Sequence, residues 1–219
     1  MISNLDGIID QANAFFTAKN ALRDETLRRS RSLIRFCANS IRATHRHEYA
    51  QARELLSEAR EAAELMCREA RVYPDLYFAG YTQDAMKELA EAAITLALVT
   101  EDRLPEPQEL GVEVAAYLNG LGEAIGEMRR FALDSLRRDE IAQAERILQM
   151  MDDVYSQLVA IDYPDSLTRG LRRTTDMVRG VTERTRGDLT LTVRQERLSK
   201  ELRAFQARLG VDDSAQDGS

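Results

Sequence analysis

The 219-residue chain has no tryptophan, four prolines, eleven glycines, two cysteines and only three lysines. Proline and glycine fall well below their usual shares of about 5% and 7%, which argues against sandwiches, barrels and linker-rich chains, because their turns depend on both residues. Cys37 and Cys67 are too few for a disulfide framework and stand in no Cys-x-x-Cys or Cys/His ligand spacing, so both are expected as reduced, buried thiols of a cytoplasmic protein. No stretch reaches the roughly 18 uninterrupted apolar residues of a membrane span. The opening Met1-Ile2-Ser3-Asn4-Leu5-Asp6 lacks the basic and apolar regions of a secretory signal. There is also no P-loop, dinucleotide fingerprint or serine or cysteine nucleophile motif, which leaves nucleophilic catalysis without a candidate.

What the chain does contain is 44% hydrophobic and 31% charged residues. From Ile8 through Tyr73 there is neither glycine nor proline, and this run of helix formers reads as two long helices with a break near His45 to Glu48. Pro74-Asp75 starts a third helix running to about Thr100, and Glu101 to Gly111, with Pro105 and Pro107, is a connection. A fourth helix covers about Val112 to Leu136, and a fifth runs from Arg138-Asp139 to about Ala160. After Pro164 a last helical stretch reaches about Leu209, with Gly170, Gly180 and Gly187 as possible points of division. The expectation is an all-α, single-domain bundle of six to seven helices over residues 1–210, with 211–219 as a disordered acidic tail. No sustained heptad is evident, which argues against a simple coiled coil.

A net charge of -7 argues, taken as an average, against a polyanionic partner. Locally the balance reverses. Between Glu25 and Glu48 there is no acid, and Arg28, Arg31, Arg35, Arg42 and Arg46 fall within an arc of about 60° on a helical wheel, with Ile34, Cys37 and Ile41 on the other side. Guanidiniums spread along roughly 27 Å of helix suit successive phosphates, each offering bidentate, charge-assisted contacts and releasing counterions. A solvated face answering carboxylates elsewhere fits the same stripe.

Glu88 and Glu91 stand three residues apart beside a strongly apolar run, and Glu123 and Glu127 stand four apart beside Gly120, Gly122 and Gly126. Three glycines inside a helix cost about 1 kcal/mol each, a loss usually offset by close approach of another helix or of a ligand backbone. If the two helices are neighbours, four carboxylates converge and cannot all stay ionised without a cation. Hard oxygen donors favour Mg²⁺ or Mn²⁺, which would clamp a phosphate and activate water. Either pair alone also fits ordinary exposed salt bridges. His45 and His47 stand at no Glu-x-x-His spacing, which disfavours a di-iron bundle and leaves them surface or helix-junction roles.

Three segments together resemble the translin superfamily, and more nearly its translin-associated factor X branch. They are the arginine-rich first helix ending Arg42-Ala43-Thr44-His45-Arg46, the stretch Tyr81-Thr82-Gln83-Asp84-Ala85-Met86-Lys87-Glu88-Leu89-Ala90-Glu91-Ala92, and the helix from Tyr117-Leu118-Asn119-Gly120 to Arg130. The resemblance implies a seven-helix fold, a homo-oligomer shaped as a hollow octamer-like shell, and binding of single-stranded RNA or DNA. For the factor X branch it implies a Mg²⁺-dependent endoribonuclease whose acidic residues would here be Glu88, Glu91, Glu123 and Glu127. Position 123 is an aspartate in that branch and the longer glutamate in this chain. Three readings follow: a metal-dependent endoribonuclease gripping RNA through Arg28, Arg31, Arg35, Arg42 and Arg46, a noncatalytic oligomer binding single-stranded RNA or DNA, and a helical scaffold with no nucleic-acid partner.

Overall fold

The computed structural model describes residues 4–100 and 103–209, and all regular structure among them is helical. Six long helices carry the fold: α1 (Leu5–His45), α2 (Tyr49–Ala70), α4 (Gly80–Thr100), α6 (Val114–Arg137), α7 (Ile141–Val159) and α9 (Leu171–Leu209). Three single turns, α3 (Pro74–Tyr77), α5 (Pro107–Leu110) and α8 (Asp165–Thr168), sit at corners marked by proline. The acidic tail expected over 211–219 lies outside the described residues.

The first break falls where the sequence places it. α1 ends at His45, His47 takes a left-handed φ of 61°, and the Glu48 N–H donates to Ala43 O at 2.9 Å, which turns the chain back into α2. The fold is a bundle and no simple coiled coil, but the seam between its first two helices carries a spacing that the hydropathy pattern does not show. Thr26, Ser30, Leu33, Cys37, Ser40 and Thr44 of α1, and Ala52, Leu56, Ala59, Ala63, Met66 and Ala70 of α2, are buried at alternating intervals of four and three residues, a coiled-coil spacing. Small and hydroxylated side chains build most of this seam, so it leaves little hydropathy signal. Their hydroxyls are satisfied locally: Ser40 Oγ donates across the seam to Ala52 O at 2.8 Å, and Thr44 Oγ1 donates to Ser40 O at 2.9 Å.

α4 is the central helix, buried on almost every side between α1 and α2 on one flank and α6 on the other. Its start differs from expectation, because Pro74 opens only the turn α3 and α4 begins at Gly80. Thr82 Oγ1 and Gln83 Nε2 donate back to the carbonyls of Leu76 and Tyr77, at 2.8 and 3.0 Å, and fix that corner. α6 joins two cores: its first half packs with α1, α2 and α4, and its second half packs with α7 and α9 around Ile125, Met128, Met151 and Val178. Of the three glycines in the last stretch only Gly170, at φ 85°, separates elements, while Gly180 and Gly187 lie within continuous α9.

Both α1 and α9 carry apolar side chains that nothing among the described residues covers, including Ile8 and Phe16 on α1 and Leu191, Leu198, Leu202 and Phe205 on α9. No described helix is long and apolar enough to cross a membrane.

Candidate metal centre

Gly120 sets the geometry of the site. A Cβ there would lie 2.7 Å from Lys87 O and 3.0 Å from Glu91 N, so only glycine lets α6 press backbone to backbone against α4 at residues 87–91. Glu123, three residues further along α6, is thereby placed opposite Glu88 and Glu91. Carboxylate oxygens of these three residues lie within 4.8 Å of one another. Gly122 makes a second close approach, to Thr174 and Val178 of α9. At Gly126 no described residue lies within 4 Å of where its Cβ would be, so no neighbouring helix accounts for this glycine.

The electrostatics of the trio follow from burial. Glu91 is 9% exposed, and burial, followed by the negative charges of Glu88, Glu123 and Glu127, pushes its carboxyl up to about 8. Burial also raises Glu88; the charges of Glu123 and Asp84 add to the shift and Lys87 opposes it. Lys87 is the countercharge, with Nζ 2.6 Å from Glu123 Oε1 and 3.8 Å from Glu88 Oε1. Burial pulls its ammonium down, but the Glu123 hydrogen bond and the surrounding carboxylates outweigh that and raise it. One lysine against three carboxylates leaves the cluster short of positive charge. Three partly buried hard oxygen donors at this spacing are compatible with a divalent metal ion.

The fourth acid is held differently. Glu127 Oε2 meets Nε2 of His45, whose side chain is 2% exposed and whose ring stacks on Phe131 at 4.4 Å between centroids. The carboxylate accepts from Nε2–H, while Nδ1 is buried without a partner among the described residues. The structure therefore brings Glu88, Glu91 and Glu123 together and leaves Glu127 at the rim of the cluster, clamped by the end of α1. Cys37 lies on the α1 face behind the trio: burial raises its thiol, and the charges of Glu88 and Glu91 raise it further. Both cysteines are free and buried, as the sequence reading expects.

All five residues of the basic stripe are exposed. Arg28 pairs with Glu25 at 2.6 Å and Arg46 with Glu48 at 2.6 Å, the two acids that bound the stripe in sequence. Among the described residues no carboxylate pairs with Arg31, Arg35 or Arg42, although Arg42 Nε donates to Ala38 O at 3.2 Å. These three lie on the solvent side of α1, away from Cys37, and no hydrogen bond or ion pair joins them to the acidic cluster. Sequence reasoning missed Lys87 and the His45–Glu127 contact. One signal was available for the lysine, since it is one of only three and stands next to Glu88.

Residues 30–180 match the model of the Translin family. Among solved structures the chain is similar to AfC3PO in a complex with duplex RNA, with 32% identity, a TM-score of 0.74, and coverage of 84% of this chain and 95% of that one. A structure of apo-NeC3PO shares the fold at 24% identity and a TM-score of 0.76, covering 88% and 98% of the two chains. The uncharacterized protein MJ0175 of Methanocaldococcus jannaschii is 29% identical over 200 residues, 90% of this chain and 88% of that protein. Since the family match spans well over half of the sequence and agrees with the all-helical architecture, the chain belongs to the translin family.

Proposed function

We propose that this chain is a divalent-metal-dependent endoribonuclease of the translin-associated factor X type. The observation that carries the reading is the convergence of Glu88, Glu91 and Glu123 at the glycine contact between α4 and α6. The trio would hold Mg²⁺, or Mn²⁺ in its place, and the ion when bound would polarise a phosphodiester and lower the pKa of a coordinated water. Glu91, whose carboxyl burial raises, would have to be ionised to serve as a ligand. Lys87 orients Glu123, and His45 fixes the carboxylate of Glu127 at the rim, where it can accept a proton from water beside the trio. Arg31, Arg35 and Arg42 hold the sugar-phosphate backbone with little base preference, and Arg28 and Arg46 extend the stripe on exchanging their carboxylate partners for phosphates.

RNA as the ligand is supported by the likeness to AfC3PO, whose structure includes duplex RNA. A homo-oligomer, octameric by family resemblance, is supported by the uncovered apolar side chains of α1 and α9, which a second copy would bury. A cytoplasmic location accords with the two free thiols. The experiment is incubation of labelled single-stranded and duplex RNA with the protein, with and without Mg²⁺ or Mn²⁺; cleavage that needs the metal and disappears in Glu123→Gln is expected.

One observation favours a second reading, a noncatalytic oligomer binding single-stranded RNA or DNA. Lys87 already neutralises part of the cluster through Glu123. That reading gives binding without cleavage under any divalent ion.

A further inference from the structure

A cavity of about 670 Å³ opens beside the acidic trio, between the first half of α4, α6 and the α8–α9 corner. Its α4 and α6 walls present Asp84, Lys87, Asn119 and Glu123, and its far wall presents Arg169 and Arg173. Among the described residues neither arginine pairs with a carboxylate; Arg169 Nη1 makes one exposed hydrogen bond, to Phe78 O at 3.3 Å.

The far wall is held in place by Asn119. Its Nδ2 donates to Thr168 O at 2.9 Å, immediately before Arg169, and its Oδ1 accepts from Thr174 Oγ1 at 2.6 Å, immediately after Arg173. Asn119 is buried and stands four residues, about 6 Å of helix rise, before Glu123 on α6, so one side chain ties the backbone on both sides of the two arginines to the helix that carries Glu123. Arg169 also stands where a glycine would be expected. It takes φ 53° and ψ 42°, and Gly170 follows at φ 85°. His47 and Asp139, at two other helix junctions, share this left-handed conformation, so what sets Arg169 apart is an exposed guanidinium with no carboxylate partner among the described residues.

The geometry points to this cavity as the seat of the phosphodiester next to the one cleaved, gripped by Arg169 and Arg173 while its neighbour lies at Glu88, Glu91 and Glu123. Guanidiniums suit this task because their planar forks meet phosphate oxygens bidentately. The inference rests on the trio being the metal centre of a ribonuclease, and it adds to the outer stripe of α1 a second, inner set of RNA contacts.

The test is fluorescence anisotropy of a labelled single-stranded RNA in chelator, titrated with salt, for the wild type, Arg169→Gly, Arg173→Gln, the double variant and Arg137→Gln. Glycine takes the left-handed conformation without strain and Arg173 is exposed, so the variants fold, which thermal melting checks. Each arginine lost should flatten the salt slope by about 0.7, so the double variant loses about 1.4 and binds at least 10-fold more weakly at low salt. Arg137→Gln, far along α6, should leave the slope as it is. An unchanged slope and affinity in the folded double variant would overturn the proposal. Failure of the nuclease reading looks different: the wild type then cleaves no RNA with Mg²⁺ or Mn²⁺, while the loss of slope in the double variant would still show the cavity to be an RNA seat.

Discussion

Glu91 makes the metal-free protein sensitive to pH, and the sign follows from its surroundings. Its carboxyl stands at about 8 in the folded chain against 4.5 when unperturbed. Between those values the native state holds a proton that the unfolded state has released, so stability is fully present below about pH 4.5 and is lost as pH rises towards 8. The shift corresponds to an upper limit of about 5 kcal/mol, which water entry and adjustment of Lys87 reduce to roughly 2–3 kcal/mol. The part of that loss lying above pH 5.5 is roughly 1.5–2 kcal/mol, so at about 2–4 °C per kcal/mol for a chain of this length the midpoint in chelator should fall by roughly 3–8 °C between pH 5.5 and 8.5. Below that range the exposed carboxylates held down by arginine or lysine, such as Glu25 beside Arg28 and Asp75 beside Lys19, contribute in the opposite sense, so the measurement stays above pH 5. Glu91→Gln, neutral at every pH, should raise the midpoint at pH 8.5 and flatten the profile, leaving the smaller dependence due to Glu88. Saturating Mg²⁺ should stabilise the wild type more at pH 8.5 than at pH 5.5. Identical profiles for the wild type and Glu91→Gln in chelator would refute the reasoning.

Other outcomes follow from the same geometry. Gly120→Ala should cost about 2 kcal/mol in chemical denaturation, because its Cβ meets the α4 backbone, whereas Gly126→Ala, facing open space, should gain up to about 1 kcal/mol. Equal effects would remove the helix contact as the device that places Glu123. Replacing Arg31, Arg35 and Arg42 together by alanine should flatten the salt dependence of RNA binding by about 2, and replacing Arg28 and Arg46, which are already paired, should change it by less than 1.4. A larger effect from the paired residues would reverse that assignment. Arg169→Gly should melt within a few degrees of the wild type, since about 1 kcal/mol of relieved backbone strain offsets the lost bond to Phe78 O; a large loss of stability would make Arg169 a structural latch instead.

The parts legible in the sequence are those written in local chemistry. Pro74, Pro107, Pro164 and Gly170 each mark a corner, and the absence of glycine and proline from Ile8 to the end of the second helix left only the left-handed turn at His47 to locate. The α1–α2 seam was not legible, because Ala, Ser and Thr at core positions look neutral on a hydropathy scale yet pack closely. Glu88, Glu91 and Glu123 could be singled out because regular spacing and costly glycines coincide there. His45 was separated from Glu127 by 82 residues, and no periodicity joins the end of α1 to the middle of α6. Arg169 and Arg173 were invisible for the same reason: the bonds of Asn119 to both sides of the α8–α9 corner, and the contact of Gly122 with Thr174, tie them to α6 with no periodicity in the sequence to announce it.

The proposed metal centre consists of three carboxylates at the α4–α6 contact, placed to cut RNA. The most direct measurement is cleavage of end-labelled RNA by the wild type and by Glu88→Gln/Glu123→Gln, each with Mg²⁺ and with chelator, alongside binding of the same RNA. The wild type should cleave with Mg²⁺ and not in chelator, and the double variant should bind RNA as well as the wild type but leave it intact. Cleavage retained in the double variant, or RNA bound but uncut by the wild type with Mg²⁺ and with Mn²⁺, would contradict it.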